Sequence, residues 1–452
     1  MVGVIFMHEE PDIFEDAKDK RTFALGLRHI SKIEGHAALD ISVVKGKVED
    51  LQLRVTEGKR FYTQGVRGVH CTAVSNIVSR ICGTCSIAHM ACCVLAVENA
   101  LGIEPSGQTH VLRELAMYGL NLRDHALHLY FFSMPDLFDV DSILKFEGKR
   151  MKYIEQAFKV KAAGNRLSTL VAGKPVHPTN ISVGVPKSVP LKEQCAETAK
   201  QLKAARDEVL ELIGLFHSQE ACFSTKTRFI ALDNARKKFS YFGDELISSD
   251  GETIRKENYI NHLQRVVLPY SQATGFVFEG NEYMVGALAR MNLNRGMLHK
   301  DTLRDVSRYL KVFPTSNIFY NNLAQAIEML NCIDQSVELL EAWDFKAEPS
   351  ADAKMPVDEC DGIAAIEAPR GTLYYMMHLL PDGKVKHVTL VIPTAQNQVK
   401  ISRDIKEYVE QNISRLPDRH EIAHGIERLI RAYDPCMSCA THFLKVNWKI
   451  RE

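Results

Sequence analysis

The sequence lacks any long hydrophobic run. Among its 452 residues no apolar stretch reaches about 18 residues, so we expect no membrane-spanning helix. It also lacks an excess of charge, because Lys and Arg together number 56 and Asp and Glu together number 56. A neutral chain gives no support for nucleic acid or a membrane surface as the main partner. Residues 1–10 have no basic lead-in to a long apolar segment, which argues against a signal peptide.

Internal repeats, low-complexity linkers and a regular disulfide framework are missing from the sequence as well. Its cysteines are odd in number, eleven in all, and most of them are scattered. Such usage is typical of a reducing compartment, where a free cysteine usually serves as a small buried hydrophobic residue. A chain of this length with 46% hydrophobic residues can bury a large core.

Four of the cysteines form two Cys-x-x-Cys pairs at opposite ends of the chain. Cys82 and Cys85 make up the first pair, and Cys436 and Cys439 the second. Four thiolates in two closely spaced pairs are a ligand set for a soft or borderline metal. The pairs of a structural zinc ribbon are usually separated by about 15–20 residues, whereas here most of the chain lies between them. Only a folded domain brings these pairs together, and zinc and a redox dithiol stay open as alternatives.

The hydrophobic pattern predicts a mainly helical chain with small β elements. Apolar residues at three- and four-residue steps predict helices over 86–101, 109–132, 191–216, 322–343, 404–412 and 421–432. Alternating residues predict a hairpin of strands 38–44 and 48–55, and further strands within 364–392. Residues 164–190 are predicted to be an ordered connector, and 223–282 a peripheral lobe. We predict one α+β domain spanning 1–452, with a long-helix bundle as its core and small peripheral β-sheets.

Five short motifs occur in order along the chain. They are Lys32-Ile33-Glu34-Gly35-His36; residues 80–85 with His89; Asp124-His125; residues 367–371 with Pro393-Thr394; and residues 434–442. Each motif alone is weak, but together, with both cysteine pairs complete, they are highly specific. In these motifs the sequence resembles the large, catalytic subunit of nickel–iron hydrogenases. Its compact length and its Cys-Ala-Thr-His ending resemble the cytoplasmic, cofactor-coupled branches of that family.

The resemblance implies a nickel–iron centre that splits dihydrogen reversibly and heterolytically. Cys82 and Cys436 match the family's terminal nickel ligands, and Cys85 and Cys439 match the ligands that bridge nickel and iron. Soft sulfur donors suit nickel and low-spin iron, and a two-residue spacer lets both sulfurs of a pair face one metal centre.

Other motif residues match groups that handle protons and charge in the family. Glu34 corresponds to the glutamate beside a terminal thiolate, which takes the proton from the sulfur of Cys436. Arg370 corresponds to the arginine over the open face of the metals, where a fixed cation can polarise dihydrogen. A buried guanidinium needs a nearby carboxylate, and Asp124 and Asp434 match the family's two candidates. The alternatives are that Glu34 is a surface glutamate before a turn, and that Asp124 and Arg370 form separate surface ion pairs.

The resemblance also implies carbon monoxide and cyanide ligands on the iron. Pro369, Pro393 and Thr394 match the pocket around these ligands, with Thr394 donating a hydrogen bond to a cyanide. His89 lies one helical turn after Cys85, so it can point back at the cluster and order a thiolate or a water. A packed core histidine is the alternative reading of His89.

The end of the chain carries two further expectations. In the family, the residue matching His442 binds a divalent metal, Mg²⁺ or Fe²⁺, together with an acidic residue that follows an Arg-aromatic step. Here Thr63 follows Arg60-Phe61-Tyr62, which departs from that pattern and leaves Glu57 as a substitute ligand. The ten residues 443–452 match an extension that an endopeptidase removes after nickel insertion by nickel chaperones. The alternative is a surface tail that is retained.

The cysteine pattern also bears on partners. The remaining cysteines show no second metal-ligand spacing, so we expect a separate iron–sulfur small subunit and further electron-acceptor subunits. The resemblance implies a cytoplasmic location, with any membrane association made through partners.

Three alternative functions stay open at this point. A non-catalytic subunit of respiratory complex I shares the fold but lacks the four thiolates. A hydrogen sensor turns over slowly and usually ends at or near the final histidine. A zinc-stabilised scaffold would use the same cysteines without redox chemistry.

Overall fold

The computed structural model describes residues 10–58, 60–233, 238–349, 355–416 and 418–441. Its helices, in chain order, are α1 (Tyr62–Gly65), α2 (Cys71–Val78), α3 (Ser86–Leu101), α4 (Gly107–Ala126), α5 (Met151–Ala172), α6 (Lys192–Ala204), α7 (Arg206–His217), α8 (Tyr259–His262), α9 (Ala287–Asn294), α10 (Lys300–Val306), α11 (Tyr320–Ala342), α12 (Pro393–Asn412) and α13 (Arg419–Ala432). Its strands are β1 (Asp12–Glu15), β2 (Phe23–Leu27), β3 (Ala37–Val44), β4 (Lys47–Val55), β5 (Arg228–Asp233), β6 (Glu245–Ser248), β7 (Thr253–Arg255), β8 (Leu263–Val267), β9 (Thr274–Phe278), β10 (Tyr283–Met284), β11 (Cys360–Ala368), β12 (Gly371–Leu379) and β13 (Val385–Val391).

The strands form four small sheets. Their strand orders are β1-β2-β3-β4, β10-β5-β6-β7, β11-β12-β13 and β8-β9. Neighbouring strands are antiparallel except β10 and β5, which are parallel. The predicted first hairpin is confirmed as β3 and β4, and its turn uses left-handed backbone at Lys45 (φ 50°) and Gly46 (φ 83°). Five of these strands, β5 to β9, lie in the predicted peripheral lobe.

Long helices form the core of the molecule. α4 packs against α5 and α11, and α11 also packs against α6, α7 and α9. α3 lies against strands β11 and β12, which joins the helical core to the third sheet. The predicted α+β fold with a helical core and small sheets is confirmed. The helices predicted over 86–101 and 322–343 are confirmed as α3 and α11. Within the described residues, no helix combines the length and hydropathy needed to cross a membrane.

The predicted connector over 164–190 is wrong for its first part. α5 runs through Gly164 to Ala172, so the connector begins only after that helix. Gly164 lies where α5 meets α4, and a Cβ atom there would be 2.8 Å from the backbone nitrogen of Arg123. The glycine therefore permits a close approach of two helices, although in the sequence it indicates a break.

Two other predicted helix bounds differ from the structure. The helix predicted over 191–216 is two helices, α6 and α7, which are divided at Ala205, where ψ is −1° rather than the helical value of about −42°. The helix predicted over 404–412 begins earlier, at Pro393, whose missing N–H suits the first turn. Buried polar residues such as Gln396 and Lys400 occupy this first half of α12 and interrupt the apolar spacing.

Candidate metal centre

The four paired cysteines converge in the interior of the protein. The Sγ atoms of Cys82, Cys85, Cys436 and Cys439 all lie within 4.8 Å of one another. The Sγ atoms of Cys82 and Cys436 are 3.5 Å apart, and those of Cys85 and Cys439 are 3.2 Å apart. All four residues are buried, and each is a free cysteine. The structure therefore brings both predicted pairs together as one tetrathiol cluster.

Irregular segments next to helices position these cysteines. Cys85 directly precedes α3, so the first pair sits on the turn that leads into a buried helix. The second pair follows α13, where left-handed backbone at Asp434 (φ 50°) redirects the chain. Beyond that turn the backbone N–H of Met437 donates to the carbonyl oxygen of Glu34 at 2.9 Å. The loop before β3 and the end of the chain are thereby joined at the cluster.

Glu34 contacts the cluster through its carboxyl group. The Cys436 thiol donates to Oε2 at 3.0 Å, and Cys82 Sγ lies 3.7 Å from Oε1. The Ser438 hydroxyl donates to Oε1, and the Ser438 N–H donates to Oε2 at 3.2 Å. Burial of the carboxyl group and then the Cys82 thiol raise the pKa of Glu34 to about 7, against the lowering effect of these hydrogen bonds. A carboxyl group of this kind can exchange a proton with a neighbouring sulfur.

Arg370 lies beside the cluster in a double ion pair. Its Nη1 donates to Asp124 Oδ2 at 2.7 Å and its Nη2 donates to Asp434 Oδ1 at 2.9 Å. Its Nε donates to the carbonyl oxygen of Asp434 at 2.8 Å. Burial alone would lower the pKa of Arg370, but the two carboxylates raise it well above its ordinary value. The structure thus keeps a charged guanidinium in the interior, paired with both predicted aspartates.

A small cavity separates Arg370 from the sulfurs. Its wall is largely apolar and is formed by Ala368, Pro369, Leu373, Ile392 and Pro393. Cys85, Cys436 and Cys439 line the same cavity, as do Arg370 and His89. Sulfur atoms therefore line one part of the cavity and hydrocarbon lines another, and Arg370 adds one cation to the lining.

Thr394 and His89 each orient a cysteine. The hydroxyl oxygen of Thr394 accepts the backbone N–H of Cys436 at 2.9 Å, so the hydroxyl hydrogen can still donate into the cavity that Thr394 lines. Nδ1 of His89 is 2.8 Å from the Tyr375 hydroxyl, and Nε2 is 3.7 Å from Cys439 Sγ. Burial lowers the pKa of His89 to about 4, so the ring is neutral near pH 7. His89 does point back at the cluster, as its helical spacing predicts.

Sequence reasoning missed several residues that support the site. Gln325 on α11 donates from Nε2 to Asp434 Oδ2 at 2.9 Å, and its Oε1 lies 2.6 Å from His128 Nδ1. His128 lies four residues after Asp124, in the π-helical segment Leu127–Ser133 that continues α4, and this spacing could have identified it. Ser438, between the cysteines of the second pair, could have been noted from its position alone. Gln325 sits within a helix buried on most sides and has no comparable signal.

The structure describes only part of the predicted divalent-metal site. His442 lies outside the described residues, as does the tail 443–452. The backbone N–H of Arg60 donates to the carbonyl oxygen of Thr441 at 3.2 Å, so the segment carrying Glu57 and Thr63 lies beside the residue that precedes His442. The use of Glu57 as a metal ligand stays a prediction.

The family of the chain follows from its sequence over these same segments. A family model described as "Nickel-dependent hydrogenase" matches residues 64–157 and 238–442. This chain belongs to the nickel-dependent hydrogenase family. The matched segments contain both cysteine pairs, Asp124 and Arg370, while Glu34 lies before them.

Curated hydrogenase subunits align with nearly the whole chain. Sulfhydrogenase 2 subunit alpha of Pyrococcus furiosus is 29% identical over 420 residues, covering 93% of this chain and 99% of the relative. NAD-reducing hydrogenase HoxS subunit beta of Cupriavidus necator is 26% identical over 466 residues, covering 92% and 94%. Both are subunits of hydrogenases, which agrees with the predicted family.

A solved structure shares the fold as well. A structure of NAD⁺-reducing [NiFe]-hydrogenase in the H2-reduced state superposes with a TM-score of 0.81 at 22% identity, covering 93% of this chain and 99% of the other. Among the alternatives, the reading as a subunit like those of complex I loses support, because this nickel-dependent hydrogenase retains all four thiolates in one cluster.

Proposed function

We propose that this chain is the catalytic subunit of a nickel–iron hydrogenase that splits dihydrogen reversibly into two protons and two electrons. The observation that carries this proposal is the buried tetrathiol cluster, with the Glu34 carboxyl group 3.0 Å from Cys436 Sγ. Arg370 lines the same cavity as three of the thiols, which adds a cation to the site. A structural zinc site needs neither of these two groups.

The residues present fit a nickel–iron centre. Four sulfur donors within 4.8 Å of one another suit soft metals. Cys85, Cys436 and Cys439 line the cavity whereas Cys82 does not, which supports a terminal role for Cys82, and the roles of the other three follow the family resemblance. When bound, a nickel–iron centre supplies the redox chemistry that takes up the electrons of dihydrogen.

Glu34 is proposed to carry the proton away from the cluster. The thiol of Cys436 already donates to its carboxyl group, so proton transfer needs no rearrangement of the chain. The Ser438 hydroxyl and N–H hold the same carboxyl group in place. A general acid–base group with a pKa near the working pH is the most effective kind.

Arg370 is proposed to act on dihydrogen as a fixed cation. Its three hydrogen bonds to Asp124 and Asp434 use three of its five N–H donors, leaving two without an acceptor in the described part of the chain. A guanidinium held in an apolar cavity interacts more strongly with developing charge than the same group in water. Its preset position also avoids reorganisation during the reaction.

The cavity next to Arg370 also suits small diatomic ligands on iron. We propose that carbon monoxide and cyanide occupy it, with Pro369 and Pro393 excluding water from them. Thr394 has a hydroxyl hydrogen available for a cyanide nitrogen, since its oxygen already accepts the N–H of Cys436.

The electrons require a partner, which we propose to be an iron–sulfur small subunit linked to further acceptor subunits. The described residues contain one cluster of potential metal ligands, the tetrathiol site. The names of the relatives given above also identify them as subunits of larger enzymes. All eleven cysteines are free, which supports a cytoplasmic location, with membrane association only through partners.

The proposed activity is tested by exchange between deuterium gas and water. The purified complex under D2 in ordinary water is expected to release HD and H2, because heterolytic cleavage lets one atom exchange with solvent. Protein heated until it unfolds provides the background rate. Absence of exchange in a preparation that contains nickel and iron would exclude the proposed reaction.

We further propose that the tail is removed during maturation. An endopeptidase is expected to cut between His442 and Phe443 once nickel chaperones have delivered the metal. The intact mass of the active protein should then lack residues 443–452, whereas protein made without nickel should retain them. An active chain that ends at Glu452 would exclude processing and leave a retained tail.

A further inference from the structure

A second buried cluster of charge lies behind the cavity, on residues to which the proposed reaction assigns no role. Arg290 on α9 is 1% exposed, and the side chains of Glu328 on α11 and Glu367 on β11 are equally buried, at 0% and 1%. Nε and Nη2 of Arg290 donate to Glu328 at 2.7 Å each, and Nη1 donates to Glu367 at 2.8 Å. Burial alone would lower the pKa of Arg290, but the two carboxylates raise it above its ordinary value.

The remaining N–H groups of Arg290 bind the main chain. Nη1 donates to the carbonyl oxygen of Ala368 at 3.0 Å, and Nη2 donates to that of Pro369 at 3.1 Å. All five N–H donors of this guanidinium are thus used, three on carboxylates and two on the residues immediately before Arg370. A buried guanidinium needs acceptors for all five donors, and here two of the acceptors are carbonyl groups of the turn that carries Arg370.

The backbone of this turn also touches the start of α9. Gly371 (φ 125°) and Gly286 (φ 126°) are both in the left-handed region. A Cβ atom at Gly371 would lie 2.7 Å from the nitrogen of Gly286, and one at Gly286 would lie 3.2 Å from the carbonyl oxygen of Arg370. The turn carrying Arg370 is therefore pressed against the helix from which Arg290 extends.

The same cluster reaches the ion-pair partner of Arg370. Nε2 of His125 lies 3.0 Å from Glu328 Oε2, and His125 follows Asp124 on α4. Glu328 thus connects Arg290, which binds the turn before Arg370, to helix α4, which supplies Asp124. Both the main chain of Arg370 and its salt-bridge partner are fixed to one buried network.

We propose that Arg290 is a positioning residue, which sets the location of the Arg370 guanidinium over the cavity by fixing the carbonyl groups of Ala368 and Pro369. This inference rests on the proposed function for its consequence in catalysis. Arg290 acts through Arg370 and does not touch the reacting atoms. A displacement of about 1 Å in such a group typically costs about 10²-fold in rate.

A conservative change isolates this role. Arg290→Lys keeps the charge, but its single ammonium group has three donors and cannot serve two carboxylates and two carbonyl groups. Arg206→Lys is the control, because Arg206 forms a forked pair with Asp334 and a third bond to Asp305, and neither acceptor belongs to the turn that carries Arg370. Turnover per bound nickel is expected to fall about 10²-fold in Arg290→Lys and to stay unchanged in Arg206→Lys.

A double-mutant cycle separates positioning from a general structural role. If Arg290 acts through Arg370, adding Arg290→Lys to Arg370→Lys should lower turnover per nickel little further, since Arg370 is already lost. Losses that multiply, or full turnover in Arg290→Lys, would overturn the inference. If Arg290→Lys does not accumulate as folded protein, the same cycle is made with Glu367→Gln, for which a smaller non-multiplying loss is expected.

Amide hydrogen exchange provides a readout that does not depend on activity. In the assembled complex, the peptide spanning 366–373 should exchange faster in Arg290→Lys than in wild type and stay unchanged in Arg206→Lys. Equal exchange in all three proteins would contradict the inference that the hydrogen bonds from Arg290 fix this turn. If wild type itself lacks nickel and turnover, the proposed function fails, while this exchange comparison still decides whether Arg290 fixes the turn.

Discussion

Replacing Cys436 with alanine is expected to abolish hydrogen turnover and to reduce the nickel content of the protein. Cys436 is at the centre of the site: its Sγ lies 2.8 Å from Cys439 Sγ, 3.5 Å from Cys82 Sγ and 3.0 Å from Glu34 Oε2. The substitution therefore removes a sulfur ligand and the proposed proton donor at once. Nickel content and D2–water exchange are measured on the same preparation.

The control for this prediction is Cys195→Ala. Cys195 is also a buried free cysteine, but it lies on α6 and has no part in the tetrathiol cluster. It should retain nickel and turnover, because it changes only packing. Full activity in Cys436→Ala would overturn the assignment of the site.

Replacing Glu34 with glutamine is expected to leave nickel and iron bound but to slow proton exchange. Glutamine has the same shape, and its amide oxygen can still accept from Ser438, so the loop before β3 should keep its position. It cannot take up and release a proton, and a general acid–base group typically contributes on the order of 10²–10⁴-fold. D2–water exchange should fall by that order, measured per bound nickel.

Glu338→Gln serves as the matched control for Glu34. Glu338 accepts a hydrogen bond from a histidine at 2.9 Å, but its side chain is 54% exposed on α11. Exchange should be normal in this variant. If exchange in Glu34→Gln were as fast as in wild type, another group would have to carry the proton.

Much of the site could be predicted because its chemistry leaves short patterns in the sequence. The two Cys-x-x-Cys pairs and the motif around Glu34 are local, and the structure brings them together. Arg370 also has carboxylate partners, which the cost of burying a guanidinium predicts, and they are the two aspartates that the family resemblance implies. The roles of these residues in catalysis stay predictions.

The buried network around Arg290 could not be predicted in this way. Arg290, Glu328 and Glu367 come from three different elements, and no spacing in the sequence connects them. Tertiary packing decides which elements share a buried ion pair. The position of Gly164 inside α5 also depends on tertiary packing. In the sequence Gly164 resembles any loop glycine, and only the approach of α4 explains it.

Some predicted helix bounds are wrong because tertiary contacts also decide where a helix begins and ends. The first half of α12 is buried although it is polar, because Gln396 accepts from the Tyr259 hydroxyl at 2.7 Å and Lys400 pairs with Asp404. Hydrophobic periodicity cannot detect a helix whose buried face is satisfied by hydrogen bonds. The break between α6 and α7 at Ala205 carries no glycine or proline to mark it.

The metal content of the purified protein tests the central claim most directly. Elemental analysis of the active complex is expected to give about one nickel per chain, together with iron, because four thiolates favour soft metals. The Cys436→Ala variant should lose that nickel. Zinc alone at the tetrathiol cluster, in a protein with all four cysteines intact, would contradict the account.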